Sequence, residues 1–115
     1  MIKAFNFTKK DEINSVSSTP VQKFKNEKVT VIGAAITERP DEATGEAKKV
    51  GILVTKEYGT LSTISTTALK SLDMIIDYMD EIAGENGSTE DVSVEIFIKS
   101  ATSNSGREFL TLEII

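Results

Sequence analysis

Three aromatic residues in this sequence each stand two positions from a basic one: Tyr58 follows Lys56, Phe97 precedes Lys99, and Phe109 follows Arg107. A cation neutralises a phosphate and a flat ring stacks on an unpaired base. Together they supply what a single-stranded nucleic acid needs from its binding surface, and stacking tolerates any base order. Lys48 and Lys49 add an adjacent pair of cations. The chain has five Phe, two Tyr and no Trp, so three of its seven aromatics share this setting.

Each of these residues also has a plain structural role open to it. An outward Phe97 or Phe109 can cover a hydrophobic edge, a chain segment or a dimer interface. Tyr58, beside the turn residue Gly59, can be a half-buried packing residue. Lys48 and Lys49 can be a solvated pair, and Arg107 can pair with a carboxylate on a neighbouring strand.

Several other chemistries are excluded by composition. The 115 residues include no Cys and no His. That removes disulfide frameworks, thiolate nucleophiles and zinc-ribbon or iron–sulfur sites. It also removes the imidazole base and any Ser-His-Asp triad. A metal would need carboxylates alone, and Asp73 with Asp77 reads as an ordinary solvated helix face. Gly33, Gly51 and Gly106 form no phosphate-cradling pattern. With no nucleophile–base constellation, the expectation is a non-enzyme with no cofactor and no metal. No apolar run reaches the ~20 residues of a membrane span, and the start of the chain lacks an apolar leader core. A soluble, cytoplasmic protein is expected.

The net charge is −5, which on its own argues against nucleic acid. Its distribution changes that reading. Residues 1–57 carry ten bases and eight acids, whereas residues 58–115 carry three bases and ten acids. Eight acids and no base lie between Asp73 and Glu95. The molecule is electrically polarised, and its acidic side can orient an anionic ligand toward the other, or simply keep the protein solvated.

The elements that must position these residues follow from periodicity. Residues 1–27 are polar and loop-like, with Phe5, Phe7 and Phe24 as candidate anchors. They read as an N-terminal arm before a single domain at 28–115. Lys28–Ile36 is a β-branched strand interrupted at Gly33, where a bulge or a tight bend is expected. Lys48–Thr55 is a second strand, with Val50, Ile52 and Val54 on one face and Lys49, Gly51, Leu53 and Thr55 on the other. Thr60–Ser65 is a third. Leu69, Leu72, Ile76, Met79 and Ile82 then recur at helical spacing, between an N-cap at Ser65 or Thr66 and a stop at Gly84. Val92–Lys99 and Arg107–Ile115 alternate as two further strands. Leu110, Leu112 and Ile114 are expected inward; Phe97, Lys99, Arg107 and Phe109 are expected outward.

Strand, strand, strand, helix, strand, strand is the chain order of the OB-fold. The expected fold is therefore mainly β, a five-stranded OB-fold-like barrel with one α-helix between strands 3 and 4. In that fold the ligand crosses the outer face of strands 2 and 3, flanked by the first–second and fourth–fifth strand loops. A β-grasp or another α+β roll is the competing arrangement.

The stretch KKVGILVTKEYGTLSTIS, the acidic helix and a closing SNSGREFLTLEII together resemble the small single-stranded DNA-binding proteins of bacteriophages that infect Gram-positive bacteria. There too a strand pair ending in T-I-S leads into a helix, and a final hairpin carries a G-R-E-F turn. The resemblance covers roughly residues 28–115. It implies sequence-independent binding of single-stranded DNA during phage-type replication or recombination, with replication proteins and further copies of the chain as other partners. One departure is that this sequence closes on Leu112-Glu113-Ile114-Ile115, where many replication proteins of this kind carry an acidic tail. The competing function is a protein-interaction module of the same fold, using Phe97 and Phe109 as a hydrophobic interface.

Overall fold

The computed structural model describes residues 2–115. Seven strands form one curled, open sheet: β1 (Lys3–Phe5), β2 (Thr19–Pro20), β3 (Lys28–Pro40), β4 (Ala47–Thr55), β5 (Gly59–Thr63), β6 (Val94–Thr102) and β7 (Glu108–Ile114). A short helix, α1 (Lys9–Asn14), lies in the N-terminal segment, and a long one, α2 (Thr66–Asn86), follows β5. The five expected strands and the helix between the third and fourth are present. The other two strands and α1 lie in the segment expected to be an arm, whose short polar elements have no periodicity of their own.

Strand β3 organises the sheet. Its residues 31–40 pair with β4, while residues 28–31 pair with β6 and residues 34–36 with β1 on the opposite edge. The register shifts between Val31 and Gly33, so the expected bulge is there. The bulge bends β3 and lets its two halves serve two parts of one sheet, in the order β2-β5-β4-β3-β6-β7. β5 and β7 do not pair with each other. At that seam the Thr67 hydroxyl donates to the Leu110 carbonyl at 2.7 Å, and Val21 is fully buried.

The core fills the concave side. Val29 and Val31 of β3, Leu53 of β4, Leu61 of β5, Val94, Ile96 and Ile98 of β6, and Leu110 and Leu112 of β7 meet Leu72, Ile75, Ile76 and Met79 of α2. Ile114, expected inward, is instead 45% exposed, at the last position of β7 where the strand gives way to the chain end. Ser65 caps α2, accepting from the Ala68 N–H. The helix continues past Gly84 and stops at Gly87, whose φ of 72° is the left-handed conformation glycine adopts without strain. Gly84 does not take that conformation, so it continues the helix.

The convex face of β3, β4 and β5 is also covered. Ala35, Val50 and Ile52 point away from α2, yet are at most 5% exposed. Residues 6–18 lie across them as a strap. The Asn6 side-chain amide donates to the Ile32 carbonyl at 3.1 Å, and the Arg39 guanidinium donates to the carbonyl and hydroxyl of the fully buried Ser15. A Cβ on Gly33 would stand 2.6 Å from the Asn6 carbonyl oxygen, so only glycine lets the strap cross the bulge at this distance. Phe5 is buried in the main core and Phe24 packs partly against it, so two of the three expected anchors hold this segment to the core.

Candidate nucleic-acid interface

The strap changes which surface is free. The outer face of the second and third long strands, β4 and β5, is the expected ligand track, and it is occupied by the chain's own residues. The open convex surface is the other half of the sheet, built by the start of β3 with β6 and β7.

Alternation places the side chains there. Val94, Ile96 and Ile98 are buried, so Glu95, Phe97 and Lys99 take the opposite face of β6. Leu110 and Leu112 are inward on β7, leaving Phe109, Thr111 and Glu113 outward. The register sets Lys28 opposite Phe97, Phe97 opposite Glu113, Lys99 opposite Thr111 and Ala101 opposite Phe109. Phe97 and Phe109 are both half-buried, so each ring lies against the sheet with part of its surface open. At ~3.3 Å per residue along β6 and ~5 Å across to β7, the two rings are roughly 14 Å apart, with Lys99 between them.

Arg107 stands at one end of this surface. The Ser103–Arg107 turn is closed by the Ser103 N–H donating to the Arg107 carbonyl at 2.8 Å and the Arg107 N–H donating to the Ser103 hydroxyl at 3.3 Å. Its guanidinium is exposed beside Phe109, Thr66 and Thr67. At the other end lies the Lys56–Tyr58 turn. The Lys56 N–H donates to the Thr30 carbonyl, and the Glu57 carboxylate accepts from both the backbone N–H and the hydroxyl of Thr30 at 2.8 Å. The backbone donor, above all, holds Glu57 below the usual carboxylate range. Tyr58 stacks on Phe24, with centroids 4.1 Å apart and planes at 22°, and its hydroxyl donates to Glu27 at 3.2 Å. That bond to a carboxylate raises the Tyr58 hydroxyl above the ordinary value. One ring face of Tyr58 is thus occupied, although 41% of the residue is exposed.

Charge on this surface is nearly balanced. Lys99 is paired with Glu113 at 3.4 Å. Among the described residues Lys28, Lys56 and Arg107 have no ion-pair partner, while Glu57, Glu95 and Glu113 supply the opposing charge. Lys28 opposite Phe97 is a further basic–aromatic neighbour; its two residues are 69 positions apart in the chain, so only the strand register reveals it.

The structure does not bring Lys48 and Lys49 to this surface. The alternation of β4 predicts Lys49 on the outer face of its strand. It lies instead on the helix side, sharing its face with Gly51, where a Cβ would meet Leu72 and Leu69 of α2 at 2.8 and 3.0 Å. The face it shares with Gly51 and Leu53 is the one that α2 covers, and Val50 and Ile52 are the residues that turn away from the helix. Lys48 pairs loosely with Asp41 at 3.7 Å. Both lysines line a groove against α2 together with Lys70, a residue the sequence pattern does not single out.

No helix is long and apolar enough to cross a membrane, and no cluster of acidic side chains suited to a metal ion occurs among the described residues. Comparison with known proteins adds no relative: the chain matches no family model, no curated protein and no solved structure.

Proposed function

We propose that this protein binds single-stranded DNA without sequence preference, on the outer surface of β6 and β7. The observation that carries the reading is the row Phe97, Lys99 and Phe109 on one open strand face, flanked by Lys28 and Lys56 at one end and Arg107 at the other. Two partly open rings about 14 Å apart are platforms for bases, and the cations beside them meet the phosphates. The five long strands support the reading. β3 pairs with β4 and β6, β4 with β5, and β6 with β7, with α2 between β5 and β6. We read that pairing as an OB-fold left open between its third and fifth strands. The strap over β4 and β5 shifts the track from the side of the sheet such proteins ordinarily use. The resemblance to phage single-stranded DNA-binding proteins agrees with this chemistry, and replication or recombination is the setting it implies.

Fluorescence anisotropy with labelled oligo-dT tests it. Saturable binding is expected at ~50 mM salt, where electrostatic contacts are strong, with a duplex of equal length binding more weakly because its bases are already stacked. Absence of oligo-dT binding at that salt refutes the reading. Loss of a dimer in Phe97→Ala and Phe109→Ala, with DNA affinity intact, favours a protein-interaction role for the same face.

A further inference from the structure

A groove of about 830 Å³ lies on the far side of the molecule, between the start of β4 and the first turns of α2. Its floor is aliphatic: Ile2, Ile36, Ile64, Leu69 and Met74. Its rim carries Lys48, Lys49 and Lys70. Ile2, Ile64 and Met74 are 50%, 63% and 71% exposed, a concentration of open apolar surface that a solvated helix end does not need.

The charge at this groove runs against the acidity of the helix that forms it. Asp73 also lines the groove, but Lys3 holds it at 3.0 Å and holds Asp77 at 2.6 Å. The two carboxylates, Asp77 first, raise the Lys3 ammonium above its ordinary pKa and keep it charged. Lys49 and Lys70 have no carboxylate partner among the described residues, and Lys48 has only the distant Asp41. The rim therefore presents unspent positive charge above an apolar floor.

From this complementarity we infer that the groove docks an acidic peptide segment of a partner protein, one in which Asp or Glu alternates with Leu, Ile or Val. Carboxylates would meet the three lysines and aliphatic side chains would fill the floor. The volume lies within the range of sites that enclose a compact ligand. Nucleic acid is the poorer occupant because no aromatic residue lines the groove, so bases find no stacking platform there. This inference is independent of DNA binding by β6 and β7.

The test uses the whole chain and a labelled synthetic peptide of alternating Asp and Leu, followed by anisotropy at low salt. Saturable binding is expected, weakened roughly tenfold by each of Lys49→Glu and Lys70→Glu, since a reversal removes one attraction and adds a repulsion. Met74→Asp, at a position 71% exposed and so tolerant of change, is expected to weaken it too. Oligo-dT affinity is expected to stay unchanged in all three variants. Failure of the peptide to bind overturns the proposal, as does binding that the variants do not diminish. Parallel loss of oligo-dT affinity in the lysine variants assigns the groove to nucleic acid and overturns it as well. Binding of phosphatidylglycerol vesicles, with the peptide inert, assigns it to a membrane surface with the same consequence. If wild-type protein ignores oligo-dT but binds the peptide, the DNA reading falls and this one stands.

Discussion

Raising the salt concentration should weaken DNA binding by an amount that can be worked out from the β6–β7 surface. Lys28, Lys56 and Arg107 are exposed and free of ion pairs, so each can neutralise one phosphate. Lys99 is engaged with Glu113 and contributes only by exchanging that partner. Each phosphate neutralised on a single strand contributes about 0.7 to the log–log slope of affinity against salt. Three cations then give a slope of about −2.1, and affinity falls about 18-fold between 50 and 200 mM salt. Anisotropy titrations of oligo-dT across that range measure the slope directly. Arg107→Ala should flatten it by about 0.7, and Glu113→Gln should steepen it by a similar step while raising affinity, because it releases Lys99. Phe109→Ala should weaken binding without moving the slope, since stacking releases no counterions. A wild-type slope shallower than about −1, or one that Arg107→Ala leaves alone, contradicts the assignment of these cations to phosphates.

Other consequences follow from the same geometry. Phe97→Ala should cost about 1–3 kcal/mol of oligo-dT affinity, the worth of one stacked base, with little change in thermal stability because the ring is only half-buried; a loss of less than about twofold in affinity, read by the same anisotropy, removes Phe97 from the site. Gly33→Ala should destabilise the fold by about 1–3 kcal/mol, seen in urea unfolding, since its Cβ would crowd the Asn6 carbonyl at 2.6 Å; wild-type stability in that variant means the strap does not cross there. Glu57 has a folded pKa below its ordinary value, so the folded state binds its proton less readily. Its stabilisation is present above the ordinary carboxylate pKa and lost as pH falls through the folded value. Acid unfolding monitored by circular dichroism should therefore be less steep in Glu57→Gln than in wild type over that window.

Much of this architecture is legible in the chain, and the exceptions have physical causes. The alternation of Val92–Lys99 and the helical recurrence of Leu72, Ile76 and Met79 each report burial on one face of one element, so local pattern is enough to read them. Which face of β4 turns toward the helix is a different kind of fact. Val50, Ile52 and Val54 look like a core face because they are apolar, and Ile52 is indeed buried. It is buried by the strap, and the strap's own residues 6–18 are polar, short in their elements and held by Asn6, Ser15 and Arg39 rather than by an apolar stripe. Nothing periodic announces such a segment. Lys49 faces the helix for the same reason, since the strap and not α2 covers the face of Val50 and Ile52. Phe97, Lys99, Arg107 and Phe109 are legible because each sits in a strand or turn whose alternation is unambiguous, whereas Lys28 and Lys70 join their surfaces through register and helix packing alone.

The central claim is that one face of this sheet, and not another, receives the strand of DNA. Amide chemical-shift mapping of the isotopically labelled protein titrated with oligo-dT tests it most directly. The account predicts the largest shifts at Phe97, Lys99 and Phe109 and across the Ser103–Arg107 turn, with residues 6–18 and the Lys49–Lys70 groove unmoved. Shifts confined to the groove or the strap, or none at all at saturating oligo-dT, contradict it.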